Sequence, residues 1–176
     1  MITTILKWAG IVLLVIVLAI TGFLTAMRFA DGPSEIWSGG PFQTGELTER
    51  PADWSFLKGR AEIEFQTMDP DTSRTVWLGV IDGRLYIVSG YMNTAMGKIW
   101  KQWPYYLADD DRIILRADGK LYEQRLERLM SFPQVVELME IFGEKYGVAL
   151  GPDMSKEALD AALASGDFWL FEVVDR

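Results

Sequence analysis

The sequence contains no cysteine and no histidine. Without cysteine the chain has no disulfide, no thiol nucleophile and no thiolate metal ligand. Without histidine it has no Ser-His-Asp or Cys-His catalysis, and both absences argue against zinc, haem and non-haem iron sites. We therefore expect no metal, and an enzyme built on this chain would need an organic cofactor for its chemistry.

Acidic residues are missing from the first 30 positions. All 25 acidic residues follow position 30, as do all basic residues except Lys7 and Arg28, so residues 31–176 carry 15 minus 25, or −10. Such a charge repels nucleic acid, and we predict no nucleic-acid partner. A chain of 176 residues also has room for one ordinary domain with a core, and not for two.

Residues 8–27 form an apolar run without a single charge. At roughly 1.5 Å of rise per residue, a helix of this length covers about 30 Å, the thickness of a bilayer's hydrocarbon core. Lys7 and the amino terminus flank one end of the run, and Arg28, followed by Asp31 and Glu35, flanks the other. The slight positive bias favours a cytoplasmic N-terminus. We predict a single-pass membrane anchor at residues 1–30, with the remaining chain on the outer, periplasmic or extracytoplasmic, side.

Two other interpretations of this run carry less support. A cleaved signal peptide needs small residues before the cut, whereas cleavage after Ala26 or Ala30 would place Leu24 or Arg28 at the third position back. A buried helix of a soluble core normally shows a polar stripe, which this run does not have. Residues 31–59 follow as a connecting segment rich in Gly, Pro and Trp, and its aromatic residues predict that part of it packs on the domain.

From residue 60 onward the pattern is that of strands. Ala61, Ile63 and Phe65 alternate with three polar residues, Glu62, Glu64 and Gln66, which predicts one face in the core and one in water. Two Asp-Gly pairs, at 82–83 and 118–119, each separate two strand-like runs and predict tight hairpins. Residues 168–174 are apolar enough for a last strand that is buried on both faces.

Helical signals lie between and after these strands. Residues 96–107 predict a short helix or structured loop that Pro104 stops. Ser131 to Gln134 has the form of a capping box before a helix that ends at Gly147, and residues 155–164 predict a second helix closed by Gly166. Residues 60–176 thus predict an α+β domain, a small closed or half-closed β-barrel of about 5–6 mostly antiparallel strands with two helices in its C-terminal half.

The run from Ser73 to Ser89, followed by Gly97-Lys98-Ile99-Trp100 and by residues 111–115, resembles the FMN-binding split-barrel family typified by pyridoxamine 5'-phosphate oxidase. The resemblance covers about residues 60–176. It implies a split barrel, a homodimer with the cofactor between subunits, and FMN or a deazaflavin as that cofactor. It also implies that Arg74, Ser89 and Lys98 gather the cofactor's phosphate, which needs fixed cations and hydroxyl donors in place of water.

The sequence departs from the family pattern before Lys98. The loop of residues 91–96 is longer, and Met96-Gly97-Lys98 stands where the family has Ser-Arg-Lys. A barrel that binds a haem-like ring, or one that binds no cofactor, is therefore an alternative to the flavin-binding barrel. Trp77, Trp100 and Trp103 would suit the stacking of a flat ring beside the cation of Lys101, with plain core packing as the alternative.

Two functions follow as hypotheses. The first is a membrane-anchored flavin-type binding protein, which would be a flavin-dependent oxidoreductase if it is an enzyme. The second is a non-catalytic barrel that serves as an accessory or interaction subunit of a membrane complex, as the Trp-rich segment at 31–59 would suit.

Overall fold

A computed structural model describes residues 2–34, 36–147 and 155–176. Its first element is helix α1, Ile2–Met27. Within the described residues, one helical stretch, Thr3–Met27, is long and apolar enough to cross a membrane, and none of it is buried inside the protein. The structure therefore contains a candidate membrane span where the sequence predicts one.

The remaining elements are strands and helices of at most 12 residues. The strands are β1 Glu46–Leu47, β2 Glu62–Thr67, β3 Ser73–Ile81, β4 Arg84–Ser89, β5 Arg112–Ala117, β6 Lys120–Leu129 and β7 Trp169–Asp175. The helices are α2 Ala95–Trp100, α3 Trp103–Tyr106, α4 Val135–Tyr146 and α5 Lys156–Ser165, with a 3-10 turn at Ser55–Leu57.

Strands β2 to β7 form a closed antiparallel barrel. The sheet runs in the order β1-β6-β5-β2-β3-β4-β7, and a further pairing of β7 with β6 closes the ring. The two-residue strand β1 adds to β6 in parallel. Large apolar side chains such as Phe65, Leu115 and Phe171 fill the interior. This arrangement confirms the predicted small barrel of mostly antiparallel strands with two helices in its C-terminal half.

Both predicted hairpins are present. Asp82 and Gly83 have φ of 49° and 75°, and Asp118 and Gly119 have φ of 53° and 72°. Positive φ at both central residues gives the two-residue turn whose twist matches that of antiparallel strands. The helix ends at Gly147 and Gly166 are confirmed as well, since both glycines adopt the left-handed conformation that closes a helix.

Four local predictions differ from the structure. Pro104 does not stop a helix but lies in the first turn of α3, where its missing N–H costs no helical hydrogen bond. Ser131 does not cap α4, which begins at Val135 without a side-chain cap, because Phe132 is buried against the Tyr86 ring and keeps residues 131–133 outside the helix. Gln66 does not face water but is 6% exposed, because the connecting segment covers it and the Phe42 N–H donates to its Oε1 at 2.7 Å. Ala61, predicted to face the core, is exposed before the start of β2.

The connecting segment is fastened to the barrel rather than free. Trp54 and Leu57 belong to the barrel core, and Gly39 forms a bridge with Ser73 at the start of β3. Closer to α1, Arg116 binds Glu64 at 2.6 Å and Asp31 at 2.8 Å. We call Asp31, Glu64 and Arg116 the clasp, because they join the residues just after α1 to strands β2 and β5.

The contacts of the clasp lower the pKa of Asp31. Hydrogen bonds from the Thr44 hydroxyl and the Gln43 backbone N–H, with the Arg116 guanidinium beside them, lower the pKa of Asp31 to about 2. The guanidinium also lies over the Phe42 ring, 4.2 Å from its centre. The end of α1 is thus held in a defined position against the barrel.

Candidate functional site

A cavity of about 990 Å³ lies where α1, the connecting segment and the barrel meet. Leu24 and Arg28 line it from the end of α1, and Ile36 and Trp37 line it from the connecting segment. Its volume is at the upper end of the roughly 300–1,000 Å³ usual for small-molecule sites. The candidate membrane span therefore forms part of the site.

The barrel side of the cavity comes mainly from β3 and α2, with further residues from β2, β4, α4 and the loop after β4. Strand β3 contributes residues 74–77, and α2 with the residue after it contributes residues 99–101. Helix α2 packs closely on the preceding loop at Gly97, where a Cβ would lie 1.8 Å from the Tyr91 carbonyl oxygen. Only glycine permits this approach, and it fixes the direction in which the end of α2 presents Trp100 and Lys101.

Arg74 is the most unusual group in the cavity. It opens β3 opposite Phe65 of β2, and its buried Nε has no hydrogen-bond partner among the described residues. Burial lowers the pKa of Arg74 to about 10, an effect that the nearby Tyr106 partly offsets. A half-buried guanidinium that no carboxylate pairs with among the described residues is costly, so this position is suited to an anion that comes from outside the chain.

Lys101 adds a second cation close to the first. Burial lowers the pKa of Lys101, and the positive charge of Arg74 lowers it further. The backbone N–H of Lys101 donates to the Gly97 carbonyl at 2.7 Å, which places the residue at the end of α2. Glu62 is the one acidic residue among the described lining residues, against three basic ones, Arg28, Arg74 and Lys101.

Aromatic rings line the same cavity as the cations. The Trp37 ring lies 6.2 Å from the Trp100 ring, edge to face. Trp77 stacks on Tyr146 of α4 with ring centres 4.4 Å apart, yet stays 40% exposed. Trp103 is 3% exposed and packs on Phe65 at 5.0 Å. Trp100 and Trp37 thus offer open ring surface to a ligand, whereas Trp103 is chiefly part of the core.

The Tyr146 side chain supports the Trp77 position from behind. Its hydroxyl donates to the Ala61 carbonyl at 2.6 Å and accepts from the Leu78 backbone N–H at 2.9 Å. Burial raises the pKa of Tyr146 to about 12. Helix α4 can reach β3 here because Gly79 has no side chain, since a Cβ there would lie 2.6 Å from Leu138.

Four of the six residues singled out from the sequence line the cavity: Arg74, Trp77, Trp100 and Lys101. The other two do not. Ser89 is fully buried and its hydroxyl donates to the Met92 sulfur at 3.3 Å, and Lys98 is exposed on α2 outside the lining. Of the three residues that the resemblance implies to hold a phosphate, Arg74 lines the cavity and the other two do not. Arg74 lies there with Lys101, Trp77 and Trp100.

Sequence reasoning missed the contribution of α1 and the connecting segment. Arg28 and Trp37 line the cavity with Arg74 although more than thirty-five positions separate them from it. Arg28 is conspicuous as the charge that closes the apolar run, and Trp37 as an aromatic residue in a polar segment. Neither signal specifies which barrel residues they meet.

Compared with known proteins, the chain matches no family model and no curated protein. Similar solved structures include a conserved hypothetical protein from Mycobacterium tuberculosis, with 17% identity, a TM-score of 0.48, and coverage of 73% of this chain and 86% of that one. The haem storage protein HutZ from Vibrio cholerae has 10% identity, a TM-score of 0.41, and coverage of 69% and 86%. An F420 reductase has 12% identity, a TM-score of 0.41, and coverage of 72% and 95%.

Proposed function

We propose that this chain is a membrane-anchored flavin-type binding protein whose cavity holds the phosphate of FMN or a phosphorylated deazaflavin at Arg74 and Lys101. Residues 1–30 serve as the anchor, 31–59 as the connecting segment and 60–176 as the barrel. The N-terminus lies in the cytoplasm and the barrel on the outer side, as the charges around α1 favour. The observation that carries the proposal is the half-buried Arg74, whose Nε is buried without a hydrogen-bond partner among the described residues.

The cations fit a phosphate. A phosphate monoester carries close to two negative charges at neutral pH and several acceptor oxygens, which match a guanidinium that has free donors and a neighbouring ammonium. Binding such an anion would offset both the desolvation of Arg74 and its repulsion of Lys101. Arg28 at the edge of the cavity adds a third positive charge.

The remaining lining fits a flat ring. Trp100 and Trp37 present aromatic surface next to the two cations, and apolar side chains such as Val76 and Val88 complete the space. A ring system of flavin size is therefore accommodated by stacking while its phosphate is held by charge. A bound flavin would supply electron or hydride transfer, which the side chains of a protein without cysteine and histidine cannot provide.

The test compares FMN with riboflavin, which has the same ring and lacks the phosphate. Full-length protein in a non-ionic detergent is titrated while flavin fluorescence is followed, and we expect a dissociation constant for FMN on the order of 1 μM or lower. Arg74→Gln should weaken FMN binding roughly ten- to a hundredfold, the range of a charge-assisted hydrogen bond, and leave riboflavin almost unaffected.

Lys101→Gln should weaken FMN binding in the same direction by a smaller factor. Lys98→Gln is its matched control, because both lysines lie at the end of α2 and only Lys101 lines the cavity. If wild-type protein bound neither FMN nor a phosphorylated deazaflavin, the proposal would be wrong. Equal losses for FMN and riboflavin in Arg74→Gln would show that Arg74 does not contact the phosphate.

A further inference from the structure

Several exposed apolar side chains line the cavity or lie on the segments that line it. Four of them are unusually open, each with more than 70% of its surface exposed: Phe29, Ile36, Met96 and Ile99. Trp100 is 52% exposed and lies next to Ile99 at the end of α2. We call these five residues the apolar rim. Three of them, Ile36, Ile99 and Trp100, line the same cavity. A large exposed apolar patch marks a site of contact with another molecule or with a membrane.

The apolar rim is continuous with the candidate membrane span. The Trp37 ring lies between the Phe23 ring of α1, at 5.4 Å, and the Trp100 ring of α2, at 6.2 Å. Leu24 of α1 and Ile99 of α2 line the same cavity. Helix α2 is therefore held beside the last turns of α1 and not at the opposite end of the barrel.

The depth of this contact follows from the helix length. A 25-residue span is about 37 Å long, longer than a hydrocarbon core of about 30 Å, so its last turn reaches the headgroup region. Phe23 lies about 6 Å before the end of the helix at Met27. Trp37 packs on Phe23 and Trp100 packs on Trp37, so both rings lie near the end of the span, at the level where tryptophan is enriched in membrane proteins.

Basic residues outnumber acidic ones among the described residues that line the cavity, with Glu62 against Arg28, Arg74 and Lys101. The sequence carries a net charge of −8, yet Arg28 and Lys98, both exposed, and Lys101 lie beside the apolar rim. Apolar side chains next to lysine and arginine are the pattern of segments that lie in the bilayer interface. Side chains of this kind can keep their charged ends among lipid headgroups.

We infer that the apolar rim is a second membrane contact, in which α2 lies in the headgroup region of the same bilayer that α1 crosses. The occupant of this surface is lipid. The inference rests on the proposed anchoring by α1 and does not depend on which ligand the cavity holds. It places the mouth of the cavity at the membrane surface, so a second ligand that enters there would come from the lipid phase.

The absence of cysteine makes the inference directly testable by site-directed spin labelling. Single cysteines at Met96, Ile99 and Val15 are labelled in the full-length protein, which is reconstituted in phosphatidylcholine–phosphatidylglycerol nanodiscs. Relaxation by oxygen, which concentrates in lipid, is compared with relaxation by a water-soluble nickel complex. Glu137→Cys is the matched control, because Glu137 is exposed on α4 and lies near the Asp82 turn at the end of β3. The length of β3, roughly 25 Å, separates this turn from the other end of the strand, where the connecting segment meets the barrel.

We expect the ratio of oxygen to nickel relaxation at Met96→Cys and Ile99→Cys to exceed that at Glu137→Cys about tenfold, since both labels would lie at the lipid boundary. Equal ratios at Ile99→Cys and Glu137→Cys would overturn the inference. So would strong spin–spin coupling between Ile99→Cys labels of two chains, which would show that a second copy covers the rim. A water-like ratio at Val15→Cys would instead contradict the anchoring by α1, and flavin titration of the same samples reports separately on the ligand.

Discussion

Two arginines on the barrel, Arg116 in the clasp and Arg74 in the cavity, differ in their partners and in the direction in which their pKa is shifted. Arg116 binds two carboxylates and stacks on a ring, and although burial lowers its pKa, the hydrogen bonds and charges of Glu64 and Asp31 raise it overall. Arg74 has no carboxylate partner among the described residues, and burial lowers its pKa to about 10.

The difference shows how the same side chain serves structure in one place and a ligand in the other. A partly buried guanidinium is stable where the chain itself supplies the counter-charge, as in the clasp. Where the chain supplies no counter-charge, burial of the guanidinium destabilises the ligand-free protein, and binding of an anion restores that stability. Exchanging each arginine for an uncharged residue should therefore have opposite effects on stability.

The largest effect is expected for Arg116→Gln. The change leaves Asp31 and Glu64, each with a side chain about one-third exposed, without their common partner. We expect the free energy of unfolding of the ligand-free protein to fall by about 2 kcal/mol. Urea titration in detergent, followed by tryptophan fluorescence, measures it. Arg112→Gln is a control on the same strand, whose exposed ion pair with Asp110 should contribute much less to stability than the clasp does.

A smaller effect of opposite sign is expected for Arg74→Met. Methionine keeps much of the side-chain volume and removes the unpaired charge, so the ligand-free variant should be more stable than wild type by about 1 kcal/mol. Saturating FMN should reverse the order, because only the wild type gains full stabilisation from the ligand. A variant less stable than wild type without FMN would contradict the comparison and indicate an internal partner for Arg74.

The smallest expected effect is the loss of the Asp31 contribution to stability at low pH. Because the pKa of Asp31 is about 2 in the folded protein, below its ordinary value of 3.8, its contribution is present above pH 4 and is lost as the pH falls through 2. The carboxylate is partly exposed, so we expect no more than about 1 kcal/mol. Urea titrations of wild type and Asp31→Asn should differ at pH 5 and converge towards pH 2. Glu49→Gln, an exposed position outside the clasp, serves as the control.

The sequence predicted those features that neighbouring residues determine. The Asp-Gly turns and the helix ends at Gly147 and Gly166 follow from backbone conformations that few residues adopt, and all of them are present. The capping box at Ser131 was wrong because burial of Phe132, a tertiary contact, outweighed a local signal. The burial of Gln66 likewise depends on a segment more than twenty positions away.

The candidate site was predictable only in part for the same reason. Arg74, Trp77, Trp100 and Lys101 could be chosen because the resemblance and the clustering of aromatic and basic residues both direct attention to strand β3 and the residues after β4. Leu24 and Arg28 line the cavity because the clasp holds the end of α1 against the barrel. That geometry has no local pattern in the sequence.

Helix α1 has a practical consequence for anyone who studies this protein in solution. A fragment that begins after residue 30 would lack Leu24 and Arg28, so its cavity would be open along one side and would carry one positive charge fewer. Affinities measured on such a truncated version would describe a different binding site. Detergent or nanodisc preparations of the intact polypeptide are the appropriate material.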